Sequence, residues 1–305
     1  MGSPPFLKPG DKIGIVSPSG KIEQGKLDNS VRIFREWGLN VVTGDNVYSC
    51  YNQFGGSDEQ RAADLQSMLD DENIKAVVCS RGGYGTVRII DRIDFRRFVE
   101  QPKWIVGYSD ITVLHSHINN LFGIETIHSP MAAEMAPGRK QPPSGLSLQL
   151  LKETLFGKIP VYDLPVHPLS VKGEASGIVA GGNLSVLCSL SGSLSEIDFY
   201  EKILFIEDVG EYLYHIDRMI WTLSRSGVLG VISGLIVGGM TDMNDNKVPF
   251  GFNAEEIISQ AVSGYGYPVC FGFPAGHQSA NLPLILGRQA LLRVGDDTFS
   301  LSYPE

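Results

Sequence analysis

Short apolar runs alternate with segments of helical period throughout the first half of the chain. The apolar runs predict strands over Lys12–Val16, Asn40–Thr43, Ile74–Cys79 and Trp104–Val106. The segments between them predict helices over Leu27–Trp37, Asp58–Leu69, Tyr84–Ile93 and Asp110–Asn119. Strands that alternate with helices in this way build a parallel sheet with helices on both faces. The first half of the chain is therefore predicted to be an α/β domain.

The alternation stops near Met135, where the segment APGRKQPPSG combines prolines, glycines and polar residues. Neither a helix nor a sheet tolerates such a segment in its interior. Beyond it, the pattern predicts turns over the glycine-rich stretch 171–182, strands over Lys202–Ile206 and Gly234–Val237, and a helix over Tyr212–Leu223. We predict an N-terminal α/β domain over residues 1–135, a linker over 136–170, and a β-rich, mixed α/β domain over 171–305.

The charge balance argues against a nucleic-acid partner. The chain has 34 acidic and 25 basic residues, and its net charge of −9 would repel a phosphate backbone. The densest basic stretch, Arg92–Lys103, alternates with acidic residues and is typical of a solvated helix face. We expect no nucleic acid among the partners.

The cysteines and the apolar runs limit the cellular setting. The four cysteines, Cys50, Cys79, Cys188 and Cys270, are far apart and form no CxxC pair, so a metal site built on sulfur is not expected. No stretch approaches the ~20 apolar residues of a membrane span, and the amino terminus lacks the pattern of a signal peptide. We expect a soluble, cytoplasmic protein with reduced thiols, no bound metal and no membrane contact.

Two glycine patterns would indicate a nucleotide cofactor, and the chain has neither of them in complete form. Gly20–Lys26 fits GxxxxGK, but the next residue of a phosphate-binding loop must supply a hydroxyl for magnesium, and here it is Leu27. The dinucleotide pattern GxGxxG does not occur. No cofactor is expected, and these glycines are predicted to form a turn.

The segment SRGGYG, residues 80–85, lies between a predicted strand and a predicted helix. Backbone amides at such a junction point outward and can bind negative charge. A tight turn without function explains the glycines equally well. The position at the carboxyl end of a strand favours the binding interpretation slightly.

The segment GYSD, residues 107–110, places Ser109 directly after a buried strand and at the start of a helix. A serine on such a sharp turn exposes its hydroxyl beside free backbone amides, as in a nucleophile elbow. The segment is not GxSxG, however, and a serine here is also a common helix cap. The choice depends on whether a base and an acid lie at the same sheet edge.

A glutamate and a histidine meet that condition. Glu207 ends the apolar run Lys202–Ile206, and His277 follows the run Val269–Phe273. Ligand sites of α/β sheets gather at the carboxyl ends of strands. The remaining histidines are weaker candidates because they fall in predicted helices or loops: His115, His117, His215, His167 and, as an intermediate case, His128.

Seven motifs in consistent order resemble the LD-carboxypeptidase family, which includes muramoyltetrapeptide carboxypeptidases of peptidoglycan recycling and microcin C immunity peptidases. The motifs are SRGGYG (80–85), GYSDIT (107–112), IHSPM (127–131), GGNLSVL (181–187), LFIEDVGE (204–211), YHIDRM (214–219) and FPAGH (273–277). The resemblance implies a catalytic triad of Ser109, Glu207 and His277. It also implies an oxyanion hole formed by the backbone amides of Asp110 and Gly83, with Gly82 as the alternative to Gly83.

The resemblance further implies a fold and an activity. It implies an N-terminal parallel-sheet domain of flavodoxin or Rossmann type, a β-rich C-terminal domain, a cleft between them, and a homodimer. The implied activity is that of a serine carboxypeptidase, which releases the C-terminal D-alanine of a murein tetrapeptide through an acyl-enzyme. One departure is His128-Ser129-Pro130, where the family pattern is HGP. This difference concerns the local shape of the substrate-binding surface and not the triad.

The sequence is compatible with several substrate contacts and with two rival functions. The terminal carboxylate could be bound by Arg81, by Arg218 or by a helix amino terminus, with Gly82 and His128 as further contacts. Arg81 could equally be a structural partner of an aspartate. One rival function is a microcin-immunity-type peptidase that cleaves a peptidyl or aminoacyl nucleotide. The other is a non-catalytic α/β binding protein, because fold alone does not establish chemistry.

Overall fold

In a computed structural model, residues 2–136 and 142–304 of the chain are described. The strands are β1 Lys12–Val16, β2 Asn40–Thr43, β3 Ile74–Cys79, β4 Trp104–Gly107, β5 Thr126–His128, β6 Tyr162–Pro165, β7 Gly173–Asn183, β8 Ile203–Val209, β9 Gly234–Thr241, β10 Val269–Cys270, β11 Leu284–Leu286, β12 Gln289–Val294 and β13 Thr298–Ser302. The helices are α1 Asp28–Glu36, α2 Asp58–Asp70, α3 Arg96–Glu100, α4 Thr112–Phe122, α5 Gly145–Leu155, α6 Leu184–Ser189, α7 Leu213–Arg225, α8 Val228–Val231 and α9 Ala254–Val262.

The first sheet combines the early strands with one late strand. Its order is β11-β5-β4-β3-β1-β2, and its neighbours are parallel except that β11 runs antiparallel to β5. The order of β1 to β5 is the 2-1-3-4-5 order of flavodoxin-like doubly wound sheets. The predicted parallel N-terminal sheet is therefore confirmed.

The second sheet is mixed. Its order is β10-β9-β8-β7-β12-β13-β6, in which β7 to β10 are parallel and β12, β13 and β6 are antiparallel to their neighbours. This architecture confirms the predicted β-rich, mixed character of the second half. The boundaries 1–135, 136–170 and 171–305 remain predictions. Residues 137–141 of the predicted linker lie outside the described residues, and β6 falls within its remainder.

The prediction of turns over residues 171–182 was wrong, because most of this stretch is strand β7. Its glycines serve close packing of backbones. A Cβ at Gly177 would lie 2.6 Å from the carbonyl oxygen of Glu201, and one at Gly181 would overlap that of Phe205. Glycine within a strand often marks such an approach. Glycine density alone therefore indicated a turn where the chain is extended.

The predicted helix over Tyr84–Ile93 was also wrong, because two 3-10 turns, Thr86–Arg88 and Ile90–Arg92, occupy this segment. The backbone N–H of Thr86 donates to the side chain of Asp110 instead of to a helical carbonyl. The helix predicted to start at Asp110 begins as a 3-10 turn over Ser109–Ile111 and continues as α4. Local pattern could not reveal that a distant carboxylate fixes the first of these turns.

Helix α4 packs against the second sheet. The backbone N–H of Asn183, in β7, donates to Thr112 Oγ1 at 3.0 Å. A Cβ at Gly182 would lie 2.5 Å from the same hydroxyl oxygen. The turn that carries Ser109 is consequently held between the two sheets.

Within residues 2–136 and 142–304, no helix is both long and apolar enough to cross a membrane. Cys79 and Cys270 are buried free thiols, and burial raises the pKa of each. Both are therefore unreactive core residues.

Candidate active site

Ser109 lies on a sharp turn between β4 and α4. Its φ angle is +64°, in the left-handed region that residues other than glycine rarely adopt. Such strain is typical of a serine presented on a nucleophile elbow. Gly82 makes room for the side chain, since a Cβ there would lie 2.7 Å from Ser109 Oγ. Ser109 is half-buried and lines a cleft, at the sharp turn after a strand where the sequence predicted it.

His277 joins Ser109 to Glu207. Its Nε2 lies 3.1 Å from Ser109 Oγ, and its Nδ1 lies 2.7 Å from Glu207 Oε2. The backbone N–H of His277 donates to the same carboxylate oxygen at 3.3 Å. The three side chains thus form a hydrogen-bonded series from hydroxyl to carboxylate, which is what activation of a serine requires.

Glu207 is fully buried, and it lies inside β8 rather than after its end. The pairing of β8 with β9 shifts register between Ile206 and Asp208. Such an irregularity re-aims the side chain that it contains. The turn that bears His277 lies close to the side chain of Glu207, because a Cβ at Gly276 would lie 2.7 Å from Glu207 Oε2.

The pKa of His277 reflects two opposing effects. Burial lowers this pKa, whereas the charge of Glu207 and its hydrogen bond raise it, with smaller contributions from Glu134 and Asp208. The net result is a pKa raised above the ordinary value of 6.5. The surroundings therefore stabilise the imidazolium that forms when His277 accepts a proton.

The two predicted oxyanion donors flank Ser109. Asp110 is the second residue of its 3-10 turn, where N–H groups have no acceptor within the turn. Gly83 lies in the loop after β3 with φ of +122° and lines the same cleft as Ser109. Both predicted positions therefore lie beside Ser109: Asp110 follows it in the chain, and Gly83, like Gly82, lines the same cleft.

A cleft of 470 Å³ opens beside the hydroxyl of Ser109. Its polar lining residues are Lys21, Glu23, Lys26, Arg81, Tyr108, Ser109, Glu134 and His277. Arg81 donates through Nε to the carbonyl of Gly82 and through Nη1 to that of Lys21, each at 3.2 Å. Among the described residues, no aspartate or glutamate forms an ion pair with it, so the guanidinium keeps donors for a substrate anion.

Family models match both halves of the chain. The model of the LD-carboxypeptidase N-terminal domain matches residues 13–129, and that of the LD-carboxypeptidase C-terminal domain matches residues 176–292. The chain belongs to the LD-carboxypeptidase family. The resemblance inferred from the seven motifs is thereby confirmed.

Relatives within the LD-carboxypeptidase family match over nearly the full chain. The probable murein peptide carboxypeptidase of Bacillus subtilis (strain 168) is 35% identical over 299 residues, 97% of this chain and 92% of that protein. The murein tetrapeptide carboxypeptidase of Pseudomonas aeruginosa is 29% identical over 291 residues, 92% of each.

Solved structures with the LD-carboxypeptidase fold match equally widely. Muramoyltetrapeptide carboxypeptidase from Oxalobacter formigenes gives a TM-score of 0.86 at 25% identity and covers 96% of this chain and 99% of that one. The microcin C7 self-immunity protein MccF, in complex with aspartyl sulfamoyl adenosine, also gives 0.86, at 21% identity and with 98% of each chain covered. The second likeness is one of fold alone.

Two residues predicted to contact substrate lie away from this LD-carboxypeptidase cleft. His128 is fully buried among the rings of Tyr108 and Phe205, and burial, followed by the neighbouring His115 and His277, lowers its pKa well below the ordinary value. Arg218 lies on α7 with its guanidinium 5.3 Å from the ring centre of Tyr214. Neither residue lines the cleft beside Ser109.

The sequence did not single out two residues of the cleft. Tyr108 O–H donates to Glu134 Oε1 at 2.5 Å, and the backbone N–H of Met131 donates to Glu134 Oε2. The tyrosine ring packs 4.7 Å from that of His277. Tyr108 belongs to the GYSD motif and could have been noticed there, whereas no sequence signal marks Glu134.

A second cavity of 300 Å³ is also lined by Ser109, together with Asp208 and Glu211 among others. Burial and the charge of Glu207 raise the pKa of Asp208 to about 6. Its carboxylate accepts from Asn183 Nδ2 and from the backbone of Ser185. Asp208 therefore fixes the start of α6 beside Ser109.

In the part of the chain that the structure describes, no group of three or more His, Cys, Asp or Glu is placed to hold a metal.

Proposed function

We propose that this protein is a serine carboxypeptidase that releases the C-terminal D-alanine of a murein tetrapeptide. The observation that carries the proposal is the hydrogen-bonded series Ser109–His277–Glu207 in the cleft of a family member. The relatives named murein peptide and murein tetrapeptide carboxypeptidase support the choice of substrate. The same hydrogen-bonded series argues against a non-catalytic binding protein, which has no need of an activated serine.

Hydrolysis proceeds through an acyl-enzyme in this proposal. His277 Nε2 accepts the proton of Ser109 Oγ as that oxygen bonds to the scissile carbonyl carbon. The amide N–H groups of Gly83 and Asp110 bind the resulting oxyanion. The C–N bond then breaks as His277 protonates the leaving amine, and a water, deprotonated by His277, hydrolyses the ester and restores Ser109.

Glu207 serves this cycle without touching the substrate. It holds the proton on Nδ1 of His277, which leaves the lone pair of Nε2 directed at Ser109. Its buried negative charge also stabilises the imidazolium in both half-reactions.

The lining of the cleft gives the substrate a direction. The leaving amine must lie near His277, which protonates it, and this is the side that carries Arg81, Lys21 and Lys26. We therefore assign the C-terminal D-alanine to this side and its carboxylate to Arg81. The acyl portion then extends toward the cavity lined by Asp208 and Glu211.

The test compares two tetrapeptides that differ only in the configuration of the terminal alanine. The D-epimer should release alanine, whereas the L-epimer should stay uncut, because inversion moves the methyl group onto one of the required contacts. A misplacement of about 1 Å can cost ~10²-fold in rate, and we expect the difference in kcat/KM. Equal rates would leave a serine hydrolase but refute the specificity. No cleavage of either epimer would favour the nucleotide-peptide alternative.

We also propose that the protein acts in the cytoplasm as a homodimer, as the family resemblance implies. Light scattering coupled to gel filtration tests the oligomeric state, and a single species with the mass of one chain would contradict it. Fractionation of cells that express a tagged chain tests the location.

A further inference from the structure

Three loops meet beside Ser109, and each follows one of three adjacent strands of the first sheet, β1, β3 and β4. The loop after β1 carries the SPSG turn, Ser17–Gly20, to which the proposed reaction gives no role. The loop after β3 carries Gly82 and Gly83, and the loop after β4 carries Ser109 and Asp110.

One carboxylate oxygen joins all three loops. Asp110 Oδ2 accepts from the backbone N–H of Thr86 at 2.8 Å, from the Thr86 hydroxyl at 2.7 Å and from the Ser19 hydroxyl at 2.5 Å. Ser19 and Thr86 are fully buried, and Asp110 is 3% exposed. Hydrogen bonds to a buried charged acceptor are strong and directional, so this contact fixes the spacing of the loops.

A second contact fixes the peptide between Gly82 and Gly83. The carbonyl of Gly82 accepts from the backbone N–H of Gly20 at 3.3 Å and from Arg81 Nε at 3.2 Å. In a planar trans peptide, the C=O and the following N–H point in opposite directions. The SPSG turn therefore orients the N–H of Gly83 by holding the other end of the same peptide unit.

We propose that the Asp110 carboxylate and the SPSG turn are positioning elements that set the separation and direction of the two oxyanion donors. This inference rests on the proposed function, because it takes the N–H groups of Gly83 and Asp110 as those donors. Asp110 then acts twice: its backbone N–H faces the oxyanion, and its side chain fixes the loop that carries the other donor. Preorganised donors stabilise a developing charge without reorganisation during the reaction.

The decisive variants change one hydroxyl. Thr86→Val keeps the shape of the side chain but removes the hydroxyl that donates to Asp110 and lies 2.8 Å from Ser19 Oγ, whereas Thr86→Ser keeps that hydroxyl. Thr154→Val is the matched control, because Thr154 is a fully buried threonine on α5 whose hydroxyl donates to the carbonyl of Leu150 in its own helix.

Two readouts separate positioning from folding. The first is kcat and KM on the D-alanine tetrapeptide. The second is the rate at which an alkyl fluorophosphonate modifies Ser109, in which Oγ bonds to phosphorus, fluoride leaves and His277 accepts the hydroxyl proton. The oxyanion hole stabilises both transition states, but the second reaction requires no murein peptide.

We expect Thr86→Val to lower kcat and the rate of phosphonylation together by about 10-fold to 10²-fold, with KM nearly unchanged. For Thr86→Ser and Thr154→Val, kcat and the rate of phosphonylation should stay within about threefold of the parental values, since both variants retain the bond to Asp110. The acidic limb of the pH profile should not move, because no contact of His277 is altered.

Gly20→Ala and Ser19→Ala provide independent tests if Thr86→Val fails to fold. A Cβ at Gly20 would lie 2.9 Å from the carbonyl oxygen of Gly82, so the substitution pushes directly on the donor peptide. We expect the same loss of kcat and of phosphonylation in both variants.

Folded variants that phosphonylate and turn over at the parental rate would overturn the proposal, as would an equal loss in Thr154→Val. Failure of the proposed function has a different signature. If the parent protein reacts with the fluorophosphonate at Ser109 but cleaves no tetrapeptide, the murein assignment fails, while the phosphonylation rates of the variants still decide the role of Asp110.

Discussion

The side chain and the backbone of His277 are both bonded to one oxygen of Glu207, with Nδ1 at 2.7 Å and the backbone nitrogen at 3.3 Å from Oε2. The carboxylate therefore fixes the imidazole ring and the turn that carries it at the same time. Because Nδ1 keeps its proton in this arrangement, Nε2 can accept one from Ser109.

The first prediction concerns the three members of the triad. Ser109→Ala and His277→Ala should each lower kcat by about 10³-fold or more, because the triad acts as a unit. Glu207→Gln should be milder, since the amide preserves part of the hydrogen bonding. Circular dichroism and thermal unfolding should confirm that each variant is folded, and normal turnover by folded Ser109→Ala would remove the assignment.

The second prediction concerns pH. His277 must be neutral to act as the base, and its pKa is raised above 6.5, chiefly because Glu207 outweighs the opposing effect of burial. A plot of kcat/KM against pH should therefore rise through a midpoint above 6.5. The same shift contributes stability that is fully present below pH 6.5 and is lost as pH rises through the raised pKa.

Glu207→Gln provides the control for this profile. Removal of the charge should lower the pKa of His277 and move the acidic limb to lower pH, while kcat falls. A limb that stays in place would mean that another group titrates in the parental profile.

The third prediction tests the space beside the nucleophile. Gly82→Ala adds a Cβ 2.7 Å from Ser109 Oγ. The φ angle of Gly82 lies outside the left-handed region, so alanine causes no backbone strain and the variant tests only the space beside Ser109. We expect a loss of activity of about 10²-fold with little change in stability. Gly264→Ala, where an added Cβ meets nothing within 4 Å, should behave like the parent protein. Comparable activity in the two variants would contradict this geometry.

The fourth prediction concerns an ion pair between the two halves of the chain. Arg288 Nε donates to Glu125 Oε1 at 2.9 Å, and Glu125 is 6% exposed. Arg288→Met should lower the free energy of unfolding by about 3 kcal/mol, because it leaves a buried carboxylate without its counter-charge. Urea denaturation at pH 7 measures the loss, and adding Glu125→Gln should recover part of it. No recovery would mean that the guanidinium stabilises the fold by packing and not by charge.

The alternating pattern of the first half was enough to predict a parallel sheet, since each apolar run there is short and bounded by a helical segment. The proposed triad required more, because Ser109, Glu207 and His277 are distant in sequence. Only the placement of strand ends and the family motifs connected them. The structure adds the distances that a hydroxyl, an imidazole and a carboxylate need for proton transfer.

Some features had no local signal. The glycines of β7 meet neighbouring backbones, and this cannot be distinguished from a turn without knowing which strands are adjacent. Glu134 enters the cleft through a hydrogen bond with Tyr108, 26 residues away. The segment Tyr84–Ile93 forms 3-10 turns and not the predicted helix, because Thr86 bonds the side chain of Asp110. Each case depends on a tertiary contact between two segments, and the sequence of neither segment alone indicates that contact.

The late strand β11 gives the first sheet a particular order of assembly during synthesis. Leu284–Leu286 pairs with Thr126–His128, so β5 remains an uncovered edge until β11 has been synthesised. Unpaired parallel edges recruit other strands, and a nascent or truncated chain would carry this hazard. His277 emerges only shortly before β11. The chain therefore gains His277, the proposed base, shortly before β5 is paired, and a chain that ended before residue 277 would lack this base and leave β5 as an edge that can recruit other strands.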